Sequence, residues 1–360
     1  MYLGFRTVLG FDVIKESQHL RITQQDIADR VGVSRATVSA VLSGSRYVSP
    51  DLKNKILAVI DDLHYVPDIV ARSLKTNRTM TIGLVLPNIL SPVWATIARG
   101  AADVARSAGY STIMYDTDER ADVLQAALRT LQEKRVDGIL LAPCSDSLEL
   151  LSSFLAQVSI PVVLVDRFLE GLALDSVVSD DTHGAYLATR HFIETGRKRI
   201  GLINLPFNTS TGQNRLRGYR QALSECGLAE DPALIAVGGR GQQEGYQRTR
   251  DLLMLPPDRR PEALLVSSHL MTIGAISAIL EKGQRIPNDM AVIGFDDTPW
   301  APMLNPPLTV VNQPAYEMGA KSAELLRTRL DPQGNEDGPR HIVLPTTLVH
   351  RSSCCTRSFH

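Results

Sequence analysis

Arg35, Ala36, Thr37, Ser39 and Ala40 stand within six residues of one another, around the single apolar position Val38. Presented from the outer side of a helix to the major groove of DNA, they make a small reading surface. The Arg35 guanidinium can meet guanine O6 and N7 with two parallel bonds, and the methyls of Ala36 and Ala40 offer a thymine contact or a gap. Thr37 and Ser39 suit phosphate oxygens, as does Arg46 a few residues on.

Such a surface works only if a second helix holds the first one rigidly. In RITQQDIADRVGVSRATVSAVLSG (21–44), Thr23 is placed to cap a helix, with Asp26 three residues later in a capping-box position. Ile27, Ala28 and Val31 give that helix one apolar side. Gly32 stands where the chain must turn through positive φ. Ser34 is a natural cap for the following helix, whose Val38 and Val41 face back toward the first. A small residue at 28, glycine at 32 and an apolar residue at 38 is the spacing of a helix-turn-helix, because the two helices cross closely at Ala28. SPDLKNKILAVIDDLHY (49–65) predicts a third helix, capped by Ser49, begun by Pro50 and buried through Ile56, Val59, Ile60 and Leu63.

The 360-residue chain has a formal net charge of -1, but residues 21–80 hold nine Lys/Arg against six Asp/Glu, a basic module on an acidic body. After residue 80 the pattern changes. Apolar strands at 82–87, 111–116, 136–143, 160–166, 199–204, 233–238, 262–267 and 290–296 are separated by helical stretches such as 94–109, 121–135, 184–195 and 215–226. That rhythm predicts parallel sheets covered on both faces, in two doubly wound subdomains with a ligand cleft at the strand ends. Four cysteines without a CxxC pair read as reduced thiols rather than a metal site or disulfide framework. No run reaches the length of a membrane span. The opening MYLGFRTVLGFDVIKESQHL lacks a cleavage site and reads as an extension without structure of its own, so a cytoplasmic protein is expected. GGRGQQEG (238–245) has a passing likeness to a dinucleotide fingerprint, but its spacing is not GxGxxG. No GxSxG, HExxH or Walker pattern occurs. Neither an enzyme nor a bound cofactor or metal is expected.

DIADRVGVSRATVSAVLSG, HYVPDIVARSLK, VDGILLAP, VVSDDTHGA, RLRGYRQAL, MAVIGFDD and PPLTVVNQP together resemble LacI/GalR transcription regulators over roughly 21–352. The linker is closest to the purine/ribose repressor branch. The resemblance implies an all-α helix-turn-helix domain on a periplasmic-binding-protein-like α/β core. It divides the chain into an extension (1–20), the DNA-binding domain (21–68), a hinge helix and linker (69–80), an N-terminal core subdomain (81–180 plus 310–338), a C-terminal core subdomain (181–309 plus 339–352) and a tail (353–360). It implies a homodimer on a palindromic DNA operator, controlled by a small effector: a sugar, sugar phosphate or sugar acid. Leu74 would be a minor-groove wedge, with Ala71 and Lys75 beside it. The implied effector residues are Ser91, Val93, Trp94, Asp166, Thr211, Arg215 and Asp296. Arg240, Ser268 and His269 stand where relatives often carry other residues, Arg167 adds a further cation, and Trp300 adds an aromatic near Asp296.

Overall fold

The computed structural model describes residues 22–43, 46–65, 78–239, 241–331 and 338–355, without the Ser43 side chain. They fall into two compact units that divide between Ala71 and Arg72. Ala71, Leu74, Lys75 and Arg240 lie outside the described residues, as do the extension and most of the hinge.

The first unit holds α1 (Gln24–Val31), α2 (Arg35–Ser43) and α3 (Pro50–Asp62). Ile27, Ala28, Val38 and Ile56 are fully buried at its centre, with Val31, Val41, Val59, Ile60 and Leu63 packed around them. Gly32 takes φ 77°, the left-handed conformation that ends α1. Pro50 opens α3 as expected, but the Ser49 side chain makes no capping bond. Arg30 instead ties α1 to α3 through Asp62 at 2.7 Å.

In the second unit the chain lays down β1 (Thr81–Leu86), α4 (Pro92–Ser107), β2 (Ser111–Asp116), α5 (Ala121–Glu133), β3 (Gly138–Leu141), α6 (Leu148–Leu155), β4 (Val162–Val165) and β5 (Asp175–Ser179). It then passes to α7 (Asp181–Glu194), β6 (Ile200–Asn204), α8 (Ser210–Glu225), β7 (Ile235–Val237), α9 (Gln242–Leu253), β8 (Ala263–Val266), α10 (His269–Glu281), β9 (Ala291–Phe295) and β10 (Thr309–Asn312). It returns for α11 (Ala315–Leu330) and β11 (His341–Leu344), and ends in β12 (Thr347–Val349). The two sheets have matching orders, β11-β5-β4-β3-β1-β2 and β12-β10-β9-β8-β6-β7. Neighbours run parallel except β10 and β12. Alternate residues feed opposite faces: Ile82, Leu84 and Leu86 enter one core cluster and Val85 the other.

The expected division of the core needs correction near its end. β10 belongs to the second sheet, not the first, and β11 to the first, not the second. Short apolar strands carry no mark of the sheet that will accept them, so the boundaries implied by the resemblance misplaced both. Residues 353–355 are not tail. Ser353 Oγ accepts from the Thr309 amide at 2.8 Å and donates to the Val292 carbonyl at 2.6 Å, and Cys354 is 1% exposed. The glycine-rich run at 238–245 leads into α9. A Cβ on Gly245 would strike the Met271 carbonyl of α10, so this glycine permits a close helix crossing rather than a phosphate cradle.

The chain crosses between lobes three times, and the crossings are bonded together. The Asp180 amide donates to Leu344 O at 2.8 Å, Thr346 Oγ1 donates to Asp180 O at 3.0 Å, and Ser179 Oγ donates to Gln313 Oε1 at 2.6 Å.

Candidate functional site

In the helical unit, Thr23 caps α1. Its Oγ1 accepts from the Asp26 amide at 3.4 Å, while the Asp26 carboxylate accepts from the Thr23 amide at 2.7 Å and hydroxyl at 2.8 Å. The backbone bond comes first among the causes that hold the Asp26 carboxyl below its ordinary range. Ser34 Oγ accepts from the Thr37 amide at 3.2 Å and meets Thr37 Oγ1 at 2.9 Å, which starts α2. Arg35 and Ala36 are exposed, Thr37 and Ser39 are half-buried, and Arg46 is exposed beyond the helix. Ala40 departs from expectation. It is 6% exposed and belongs to the interior, because α2 packs against both α1 and α3 and so covers more than one stripe. Sequence reasoning passed over Tyr47, which is 85% exposed next to Arg46. Its only signal was an aromatic residue outside any apolar period.

In the second unit, a cleft of about 360 Å³ opens where the strands of both lobes end. Ser91, Val93, Trp94, Asp166, Thr211, Arg215, Ser268 and Asp296 all line it. Trp300 does not. Although it lies four residues after Asp296, its ring packs against the second lobe's hydrophobic core. Trp94 is 8% exposed and has the Arg167 guanidinium 5.4 Å from its ring centroid, so little of the indole is open for stacking. Pro87, Asn88, Glu119, Glu244 and Gln313 also line the cleft and were missed, being polar or loop residues without periodicity.

Asp166 and Asp296 are placed alike. Each follows the third strand from the same edge of its sheet, and each holds a positive φ, 68° and 74°. Asp is among the few residues that tolerate this conformation, and it turns the carboxylate off the strand end. Their electrostatics differ. Burial pushes Asp166 up to about 7 against the attraction of Arg167, and Asp181 and Asp296 push the same way. Burial also opposes ionisation of Asp296, but a hydrogen bond from His269, the Arg215 charge and a bond from Gln313 outweigh it and hold its carboxyl below the usual value. Gln313 Nε2 donates to Asp296 Oδ1 at 2.5 Å, and His269 Nδ1 lies 3.5 Å from Oδ2.

Arg215 is 3% exposed. Its Nε and Nη2 donate to Asp181 Oδ1 at 2.9 and 2.8 Å, Nη1 donates to the Ser267 carbonyl, and the guanidinium stacks 3.9 Å from the Phe295 centroid. Burial pushes Asp181 up even so. Arg167 reaches Glu119 at 2.7 Å and Pro143 O at 3.2 Å. His269 Nε2 and Arg167 Nε are buried without a hydrogen-bond partner among the described residues, although Arg167 Nε lies 3.5 Å from Asp166 Oδ2, which leaves an imidazole nitrogen and a guanidinium N–H for a ligand.

An exposed helix-turn-helix and a bilobal ligand cleft define the class: a DNA-binding regulator with an effector core. Residues 23–68 match the profile of bacterial regulatory proteins, lacI family, and 189–354 that of a periplasmic binding protein-like domain. The ribose operon repressor of Haemophilus influenzae is 37% identical over 331 residues, 92% of this chain and 98% of the relative. The HTH-type transcriptional repressor PurR of Photobacterium profundum is 34% identical, with the same coverage. Among solved structures, the lac repressor dimer bound to operator and the anti-inducer ONPF matches with TM-score 0.82 at 26% identity, over 93% of this chain and 99% of that one. The transcriptional regulator CelR–cellobiose complex matches at 0.69 and 32%, over 92% and 100%. The chain belongs to the lacI family of bacterial regulatory proteins. It is a transcription regulator, not an enzyme. No helix among the described residues is long and apolar enough to cross a membrane.

Proposed function

We propose that this chain is a cytoplasmic repressor that grips a palindromic operator as a homodimer and answers to a neutral sugar of monosaccharide size. The cleft carries that reading. Among the described residues its lining holds five acidic side chains, Asp118, Glu119, Asp166, Glu244 and Asp296, against the two guanidiniums of Arg167 and Arg215. Both arginines are already engaged by acids. An anionic ligand would meet net repulsion there, whereas carboxylates and a buried imidazole suit vicinal hydroxyls. Sugar phosphates and sugar acids, which the sequence left open behind a neutral sugar, are therefore disfavoured.

In this reading Arg35 and Ala36 meet base edges, and Thr23, Ser34, Thr37, Ser39, Arg46 and Tyr47 meet the backbone of the DNA. Leu74 opens the central step, flanked by Ala71 and Lys75. Effector closure acts through Asp296, because Gln313 links that carboxylate to Ser179 at the crossings between the lobes. Ligand binding and DNA binding then shift each other reciprocally, typically by ~1–3 kcal/mol.

A thermal-shift screen of pentoses, hexoses, their phosphates and acids, and purines tests the ligand class. Gel shifts on palindromic DNA, with and without each hit, test the regulation. Stabilisation by phosphorylated sugars or purines alone overturns the neutral-sugar reading. Leu74→Ala should weaken operator binding while the core's response to effector is unchanged; full operator affinity in that variant removes the wedge.

A further inference from the structure

At the far end of α7 from the cleft, three side chains from distant parts of the sequence converge. His191, in the last turn of α7, places Nε2 3.1 Å from Cys354 Sγ. Cys354 Sγ is 3.9 Å from Cys355 Sγ. The three atoms lie within 4.8 Å of one another. The His350 ring sits beside them, its centroid 4.7 Å from that of His191. Thr309 Oγ1 is 3.1 Å from Cys354 Sγ. None of these groups belongs to the effector cleft or to the DNA-reading helix.

The spacings can be compared with a coordination sphere. A tetrahedral zinc with Zn–S of about 2.3 Å and Zn–N of about 2.0–2.1 Å would set S···S at about 3.8 Å and N···S at about 3.5 Å. The observed S···S distance of 3.9 Å matches, the His191–Cys354 distance of 3.1 Å is a little short, and all three atoms lie within 4.8 Å of one another, so rotation of one side chain would complete the set. Two sulfurs and an imidazole select a borderline or soft cation over magnesium or calcium. The backbone under the thiols is fixed, because Ser353 is bonded to β9 and β10 and Cys354 is buried. A fixed backbone lowers the entropy lost on coordination. Cys355 and His191 are half-buried, which gives an ion a way in.

We infer that His191, Cys354 and Cys355 form a zinc-type cation site that clamps the terminal segment to α7 of the second lobe, with His350 turned toward the fourth position. On binding, each thiol gives its proton to solvent and its sulfur bonds the ion, so affinity rises with pH. Thr309 can then donate to the Cys354 thiolate in place of its present contact, the kind of outer hydrogen bond that orients a ligand. The vicinal cysteines, read from the sequence as ordinary reduced thiols, acquire a role that their spacing alone did not announce.

The test uses the full chain, reduced and stripped of metal, titrated with cobalt(II) and then zinc(II). One cobalt per chain should give the sulfur-to-metal charge-transfer band and the intense red d–d absorption of a tetrahedral site, and zinc should abolish both. Zinc should also raise the melting temperature. Cys355→Ala and His191→Gln, at half-buried positions, should each lose the d–d band while keeping the native circular dichroism spectrum. If Cys354→Ser does not fold, these two variants still decide the matter. No tetrahedral spectrum at stoichiometric cobalt, or a spectrum that survives Cys355→Ala, overturns the site. Because the readout is optical, it stands apart from whether the chain binds operator or sugar.

Discussion

Helices α4 and α8 occupy equivalent places in the two lobes, each following the same strand of its sheet and each sixteen residues long. Both carry glycine at the ninth position. A Cβ on Gly100 would strike the carbonyl of Tyr316, the second residue of α11, and one on Gly218 would strike that of Thr182, the second residue of α7. At the sixth position the lobes part company. The first lobe has Ile97, buried in one apolar cluster with Ala315, the first residue of α11. The second has Arg215, ion-paired with Asp181, the first residue of α7. One helix-pair frame thus holds an apolar contact on one side and a buried ion pair on the other. Since apolar replacement of a buried pair is often neutral or stabilising, packing does not require Arg215 and Asp181. Arg215 lines the cleft and Asp181 is its ion-pair partner, which points to ligand as the reason they are there.

The sharpest break of this comparison is Arg215→Ile alone. It leaves Asp181 buried without its cation and should destabilise the second lobe by about 3–5 kcal/mol, read as a large drop in melting temperature or failure to fold. Adding Asp181→Ala gives the second lobe the first lobe's solution. The double variant should recover most of that loss, yet bind effector much more weakly by calorimetry. If it stays as unstable as the single variant, the ion pair is structural and the comparison fails.

The strand-end acids sharpen the contrast. Asp296→Asn removes an ionised acceptor and should weaken effector binding by about 1.5–3 kcal/mol. Asp166→Asn should weaken it less below pH 7, where Asp166 already holds much of its proton. Equal losses in a binding titration near pH 6 would mean that the two positions do not differ.

The pH dependence is smaller and has a definite sign. Asp166 titrates near 7 in the fold against 3.8 unstrained, so the native state holds this proton more tightly. Stability from it is complete below about pH 4 and is lost as pH rises through about 7. Asp181 is shifted in the same direction. Asp296 is shifted down, so its contribution is present above the ordinary carboxylate range and is lost as pH falls through its lowered value. Melting temperature should therefore fall from about pH 5 to 8, less so in Asp166→Asn, and with a slightly shallower slope in Asp296→Asn, which removes one of the charges that raise Asp166 and Asp181. The least effect is expected of Gln313→Ala, which cuts the link from Asp296 to Ser179. Effector affinity should change by less than about 1.5 kcal/mol, while the effector-dependent change in DNA binding in gel shifts is blunted.

Much of this was legible in the residues. The capping pair Thr23–Asp26, the turn at Gly32 and the Val38 contact follow from local chemistry, and the structure places them as read. Strands such as 138–141 and 162–165 announced themselves because burial on both faces leaves a continuous apolar run. Asp166, Arg215 and Asp296 were legible through the family resemblance. Which sheet takes β10 or β11 was not, because strand acceptance is settled by the whole fold. Ala40 and Trp300 were misjudged for one reason: proximity along the chain says little about which way a side chain faces once neighbouring helices or turns enclose it. Gln313 and Glu119 matter through partners far away in sequence, a relation no period reveals.

The three crossings also bear on how the protein is made. The first lobe takes its last strand from residues 341–344 and the cover for α4 from 315–330. The second is sealed by residues 347–355. On the ribosome, therefore, neither lobe is finished until residue 344 has emerged, and the second waits for residues up to 355. A prematurely stopped chain would retain the helical head, whose sequence is complete by residue 65, but no working half of the effector core.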